Sequence, residues 1–181
     1  MKKFFDVCSE DKVRKIGGVG VLGSLPIKMG DNKEALKVRI ISEHLPYEIG
    51  MFYMSLTALE SSTNQFTTNI LIESFCLHAR NLIQFFYYSP SKDYAVAEEL
   101  MIQGYKIPNR KEAIGSQIYK KINLQITHLT YQRARTGNEK INTEDREKLK
   151  NMINDCVKKF YENLRSEYKE AFPKNLSSFM K

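Results

Sequence analysis

The stretch "ESFCLHARNLIQFFYY" (residues 73–88) carries a histidine, an arginine and an asparagine inside a run that is otherwise typical of a protein core. At about 100° per residue, a helix places His78 in the middle of its apolar face and Arg80 on nearly the opposite side. A buried imidazole must place both its N–H and its lone pair, because an unsatisfied polar group in the interior costs about 1–3 kcal/mol. The sequence therefore predicts a polar partner for His78 on another helix.

A second polar stretch, "NLQITHLTYQRAR" (residues 123–135), contains the side chains best suited to meet His78. Arg133 extends an apolar stripe of this predicted helix, and a guanidinium directed inward is costly unless it is paired. Asp93, near the start of a predicted short helix, is the expected counter-ion. The resulting cluster is either a structural hydrogen-bonded network or a functional site, because perturbed buried groups also gather at active sites.

Metal-independent cleavage of RNA is the chemistry that suits these residue types. An imidazole moves a proton, and guanidinium groups stabilise the negative charge of the phosphorane. The net charge of +7 also favours an anionic partner. The candidate catalytic residues are His78, Arg80, His128 and Arg133, and the candidate binding residues are Asn81, Asp93, Tyr131 and Arg135.

Three other kinds of site are disfavoured by their sequence context. "GGVGVLGS" (residues 17–24) matches a dinucleotide-binding fingerprint, but Pro26 follows too closely for the helix N-terminus that would hold the phosphates. His44, His78 and His128 lack the HxxxH and HExxH spacings of zinc sites. There is no GxSxG elbow for a nucleophilic serine. The sequence predicts neither a metal nor a cofactor.

Helical periodicity dominates the chain after residue 45. Apolar residues at spacings of three and four predict helices after Pro46, over residues 64–88, 92–103 and 111–135, and from Thr143 to Pro173. Short connections between such helices favour antiparallel neighbours. The predicted fold class is all-α, an antiparallel bundle of four to five helices with a short irregular or β-hairpin N-terminal segment.

The first 45 residues follow a different pattern. Apolar residues alternate on both sides of "MGDN" (residues 29–32), with Leu36, Val38 and Ile40 in the second run, which is typical of a hairpin. The second run is equally compatible with a helix from Asp31. The predicted organisation is an N-terminal extension over residues 1–45, a helical bundle domain over 46–172 and a tail over 173–181.

The sequence predicts a cytoplasmic protein that does not enter a membrane. Its three cysteines form no CxxC pair, which is typical of a reduced compartment. The apolar start of "MKKFFDVCSEDK" is broken by Asp6, so no signal-peptide core forms. No later run reaches the roughly 18 apolar residues that span a bilayer.

The stretches "SFCLHARNLIQFFYY", "KDYAVAE" and "INLQITHLTYQRAR" resemble a group of uncharacterised bacterial helical proteins with HxRxLxxFF and HLTxxR motifs. Over about residues 47–172 the layout is also similar to the HEPN superfamily of helical bundles. This resemblance implies an all-helical fold and, as in many HEPN proteins, RNase activity in a toxin or phage-defence system. Fold alone does not establish function.

The HEPN catalytic pattern is matched only in part. It consists of an arginine, often followed by a polar residue, and a histidine after a gap of four to six residues. Arg80 and Asn81 match its beginning, but aromatic residues, Phe85 to Tyr87, occupy the positions of the histidine. Arg39 and His44 have the four-residue gap but lie in the N-terminal segment.

Two functions from different classes follow from the sequence. The first is an RNA-associated protein or RNase in a defence or toxin system. The alternative is a non-catalytic helical module that binds another protein or itself as a homodimer. The alternative is favoured by Phe85, Phe86, Tyr87 and Tyr88, which face several directions on one helix and predict either a central helix or a dimer interface.

Overall fold

The computed structural model describes residues 33–91, 94–104, 110–126, 140–173 and 176, which are predominantly helical and contain no strand. The prediction of an all-α bundle is therefore confirmed. The α-helices are α1 (Lys33–Arg39), α2 (Leu45–Ser61), α3 (Gln65–Tyr87), α4 (Arg110–Ile126), α5 (Thr143–Asn163) and α6 (Ser166–Lys169). A π-helical turn, Ile40–His44, joins α1 to α2, and a 3₁₀ turn spans Ala97–Glu99.

The segment before Pro46 is helical wherever the structure describes it. Of the two alternatives for the run containing Leu36 and Val38, the helix is correct, and the second strand of a hairpin is not formed. Both side chains are exposed, so their alternation does not define a buried face. Burial begins at Ile41 inside the π-helical turn. The proposed first strand and the glycine-rich stretch lie outside the described residues.

Helices α2 and α3 form the central pair of the bundle. Only residues 62–64 separate the two helices. Asn64 caps the N-terminus of α3, because its side chain accepts a hydrogen bond from the Thr67 amide at 3.0 Å. Ser62 is the C-terminal cap of α2. Across the pair, the rings of Phe52 and Phe75 stack with centroids 4.9 Å apart.

Helix α3 is central to the bundle, since it packs against α2, α4 and α5. Phe85 and Phe86 are buried and meet Phe160 of α5 edge-on, at centroid distances of 5.4 and 5.9 Å. The hydroxyl groups of Tyr88 and Tyr119 lie 2.7 Å apart, which links α3 to α4. The aromatic residues at the end of α3 are therefore accommodated within one chain.

Helix α5 begins as the sequence predicts, with acidic residues in its first turn. The side chain of Asn142 and that of Asp145 form a reciprocal capping box. Asp145 also accepts a hydrogen bond from Lys121 of α4 at 2.6 Å. This carboxylate thus stabilises the start of α5 and fixes it against α4.

The predicted helix over residues 92–103 is not formed. Among the described residues of this segment, only the 3₁₀ turn Ala97–Glu99 is helical, and Val96 before it is extended. The backbone instead forms an isolated antiparallel bridge between Met101 and Leu164. Apolar spacing alone did not reveal that the backbone hydrogen bonds of this segment are made with a distant part of the chain.

The same pairing ends α5 at Asn163, so the prediction of a continuous helix up to Pro173 was wrong. The Ile102 amide donates to the Asn163 carbonyl at 2.9 Å, and the Arg165 amide donates to the Leu100 carbonyl at 3.1 Å. These bonds pair residues 100–102 with residues 163–165. The short helix α6 follows this pairing.

Helix α4 contains a break that the sequence did not predict. Gly115 has φ 69° and ψ 155°, a conformation that L side chains rarely adopt. After the break, Ile118 and Ile122 are buried as their spacing indicates. The remainder of the predicted helix over 111–135 lies outside the described residues. No helix in the part of the chain that the structure describes is long and apolar enough to cross a membrane.

Replacing Phe160 by alanine should lower the free energy of unfolding by about 3–5 kcal/mol, because a large cavity would form among the aromatic rings. Val38→Ala is the control, since Val38 lies on α1 with 40% of its surface exposed. Its effect should stay within about 0.5 kcal/mol. Chemical denaturation followed by circular dichroism measures both values. Equal effects would contradict the assignment of Phe160 to the core.

The two described cysteines should be unreactive in the folded protein. Burial raises the pKa of Cys76 to about 12 and that of Cys156 to about 11, so few thiolates exist near neutral pH. In a Cys8→Ser variant, a coloured disulfide reagent should label neither thiol until denaturant is added. Because folding favours the protonated Cys156 thiol, stability should also decline as the pH rises from 9.0 towards 11. Rapid labelling of the native protein would disprove this burial.

Candidate functional site between α2 and α3

A carboxylate, an imidazole and an amide meet where the first turn of α2 faces the middle of α3. Oε2 of Glu48 lies 2.7 Å from Nδ1 of His78 and accepts a hydrogen bond from Nδ2 of Asn81 at 3.1 Å. We call these three residues the Glu48 cluster. One carboxylate oxygen therefore binds two side chains of the neighbouring helix.

The geometry of the cluster follows from helix periodicity. His78 and Asn81 are three residues apart on α3, so they project from the same face one turn apart. Glu48 lies one turn before Phe52, at the edge of the apolar stripe of α2. Packing of Phe52 on Phe75 brings the two helices together near this point, so the polar groups can meet.

The imidazole of His78 is almost enclosed. His78 is 5% exposed. The ring of Tyr47 lies edge-on to the imidazole, with the two ring centroids 5.7 Å apart. Tyr47 itself is about half exposed, and the Glu48 side chain is 25% exposed. The cluster is thus covered on one side by a single aromatic side chain at the surface.

The contact with Glu48 determines which ring nitrogen of His78 is available for chemistry. Beside a carboxylate, Nδ1 carries a proton and donates it in a hydrogen bond, so the neutral ring has its lone pair on Nε2. No hydrogen bond joins Nε2 to another described residue. An imidazole oriented in this way is suited to accept a proton or to bind a ligand hydroxyl group.

Arg80 does not join the Glu48 cluster. It follows His78 by two residues on α3 and is partly buried. Its Nε atom is inaccessible to solvent and has no hydrogen-bond partner among the described residues. The absence of Arg80 from the cluster is compatible with the prediction that it faces away from His78. Its Nε, however, is not exposed to solvent.

The remaining predicted site residues lie outside the described residues. These are His128, Arg133, Asp93, Tyr131 and Arg135. The expected meeting of His78 with Arg133 therefore stays a prediction. Within the described part of the chain, the partners of His78 and Asn81 come from α2 instead.

Sequence analysis missed Glu48, although a signal was present. Its position at the edge of an apolar stripe, one turn from Phe52, is unusual for a glutamate unless a partner lies opposite. The predicted partner of His78, Arg133, lies on a later predicted helix, whereas the observed partner comes from the adjacent helix α2. No group of three or more histidine, cysteine, aspartate or glutamate residues arranged to hold a metal occurs in the described ranges.

A double-mutant cycle on Glu48→Ala and His78→Ala should show a coupling energy of about 0.5–3 kcal/mol, because each single change leaves a buried polar partner unpaired. The exposed pair Arg39 and Glu43, with an N–O distance of 3.0 Å, provides the control cycle. Its coupling should not exceed about 0.5 kcal/mol. Unfolding in urea gives all of these values. Additive effects at Glu48 and His78 would refute a direct interaction.

Comparisons with protein-family models, with curated proteins and with solved structures found no match to this chain. They therefore leave the resemblance to HEPN proteins untested, and it stays a prediction from the quoted motifs. The site is defined by its own geometry, namely a nearly enclosed imidazole oriented by a carboxylate from the neighbouring helix.

Proposed function

We propose that the protein cleaves RNA without a metal ion, with His78 as the proton-transferring group. The observation that carries this proposal is the short contact between Glu48 and His78, which leaves Nε2 free of partners among the described residues. The net charge of +7 supports a polyanionic substrate. A defence or toxin role, which the HEPN resemblance implies, belongs to the same proposal.

The proposed reaction is an internal transesterification of the RNA backbone. Nε2 of His78 accepts the proton of a ribose 2′-hydroxyl group, and the resulting oxygen attacks the adjacent phosphorus. The bond to the 5′-oxygen breaks and a cyclic phosphate is left, while this oxygen takes a proton from water. The hydroxide so formed removes the proton from the His78 imidazolium and restores the neutral ring. Glu48 stabilises the imidazolium that forms, in the manner of a carboxylate behind a catalytic histidine.

Access to His78 is controlled by Tyr47 in this proposal. The tyrosine is about half exposed and contacts the imidazole edge-on, so a rotation of its side chain would uncover the ring. Rotamer changes of partly exposed side chains are fast compared with typical turnover. Asn81 acts as a positioning residue, because its hydrogen bond holds the Glu48 carboxylate in place.

Labelled single-stranded RNA incubated with the full chain and EDTA tests the proposal. Wild type should produce fragments with cyclic phosphate ends. His78→Ala should lower the rate by about a hundredfold or more, and Glu48→Gln should have a smaller effect. Ser55→Ala is the control, since Ser55 is a buried polar residue of α2 that bonds only to the backbone carbonyls of its own helix.

Circular dichroism of each variant separates loss of chemistry from loss of folding. Cleavage that persists in a folded His78→Ala variant would overturn the role of His78. Wild type that neither cuts nor binds RNA would overturn the proposal as a whole.

A homodimerisation module is the second candidate function, and a specific surface favours it. Phe66, Ile70 and Leu77 lie along one side of α3 and are 74%, 50% and 46% exposed. Exposed apolar residues in a row mark interaction surfaces more often than isolated ones do. Light scattering should then give a dimer mass that Leu77→Ser reduces to that of a monomer. A monomeric wild type would exclude this candidate.

A further inference from the structure

A second concave surface lies beside α1, apart from the Glu48 cluster. It is a cleft of about 370 Å³ between α1, the π-helical turn and the segment over residues 94–99. Lys33, Lys37, Arg39 and His44 line it from one side, and Tyr94 lines it from the other. We call it the basic cleft. Its volume lies within the range of about 300–1,000 Å³ that is typical of small-molecule sites.

The charge of the basic cleft favours an anion. Three of its side chains are cations, and Glu99 is the only carboxylate among the described residues that line it. Lys33 pairs with Glu99 at 2.7 Å, and Arg39 pairs with Glu43 at 3.0 Å. The Lys33 and Arg39 side chains are 68% and 64% exposed, and exposed ion pairs contribute only about 0–1 kcal/mol. A phosphate group can therefore replace such a carboxylate at little cost. Lys37 differs, since its side chain is 16% exposed and pairs with Glu34 at 2.7 Å.

The shape of the cleft suits a flat aromatic group next to that anion. Tyr94 is 56% exposed, and Leu36 and Ile40 provide apolar surface on the α1 side. A nucleobase stacks on such a tyrosine and covers apolar atoms, whereas inorganic phosphate uses neither feature. Ser91 adds a hydroxyl group at the rim.

The walls of the cleft are held in place by contacts with the C-terminal part of the chain. Nη2 of Arg165 donates to the Glu99 carbonyl at 2.8 Å. The Tyr168 hydroxyl donates to the Glu34 carboxylate of α1. The two walls are thus joined to one short segment, which makes the cleft preorganised and lowers the entropic cost of binding.

We propose that the basic cleft binds a nucleoside phosphate, with the phosphate on Arg39 and His44 and the base against Tyr94. The shared chemistry is a nucleobase with an attached phosphate, supplied either by a free nucleotide or by one unit of an RNA strand. The site stands independently of RNA cleavage at His78.

Calorimetric titration of the full chain with each of the four nucleoside monophosphates tests this site. At least one monophosphate should bind. The matching nucleoside and inorganic phosphate should each bind at least about tenfold more weakly, because the nucleoside lacks the contacts of the phosphate and inorganic phosphate lacks the stacking on Tyr94. A short RNA oligonucleotide is the second arm. Tighter binding of the oligonucleotide identifies an RNA unit as the source, whereas tighter binding of the monophosphate identifies a free nucleotide.

Two pairs of variants locate the binding. Tyr94→Ala should weaken it about 5- to 100-fold through lost stacking. Tyr161→Ala, which removes another exposed tyrosine from α5, should not. Arg39→Ala should weaken binding and reduce its salt dependence. Lys148→Ala, which breaks an equivalent exposed pair with Glu144 on α5, should leave both unchanged.

These measurements test binding at the basic cleft separately from RNA cleavage at His78. Absence of binding by all four monophosphates and by the oligonucleotide overturns it, and so does unchanged affinity in folded Tyr94→Ala and Arg39→Ala variants. His78→Ala should bind the monophosphates as wild type does. If RNA cleavage fails but these results hold, the cleft is retained and only the catalytic proposal is lost.

Discussion

The need of one buried imidazole for a partner accounts for much of the arrangement of α2 and α3. His78 lies on a face that is otherwise apolar, and only a group opposite it makes that position tolerable. Glu48 provides this group and also binds Asn81, so a single oxygen fixes the relative rotation of two helices. Burial of apolar side chains, including the stacked pair Phe52 and Phe75, attracts the helices to each other, and the polar contact selects one register among those that apolar packing allows.

The fold class was predictable because local periodicity and burial coincide in most of the chain. Leu149, Ile153 and Phe160 have helical spacing, and all three are fully buried. Prediction failed at residues 92–103, where Val96, Leu100 and Met101 are also buried but the described backbone is mostly not helical. Burial reveals which side chains turn inwards, whereas the backbone conformation there depends on hydrogen bonds with residues 163–165. Such long-range pairing leaves no periodic signal in either segment.

The candidate site was predictable in its centre but not in its partners. The position of His78 on an apolar face identified it as a polar group that needs a contact. Spacing within one helix cannot reveal which neighbouring helix supplies that contact. The predicted partner was the cation Arg133, whereas the observed partner is the carboxylate of Glu48. The basic cleft was less visible still, because its residues come from two segments separated by about fifty positions and only tertiary packing brings them together.

The link between Glu34 and Tyr168 spans 134 positions of the chain. During synthesis, α2 and α3 can pair as soon as they leave the ribosome, because only three residues separate them. The wall formed by α1 has to wait until α5 and α6 have emerged. This order of emergence would let the two central helices associate before the contact between Tyr168 and Glu34 can hold α1 in the wall of the basic cleft. Binding of an anion at the basic cleft would consequently require a chain that extends at least through α6.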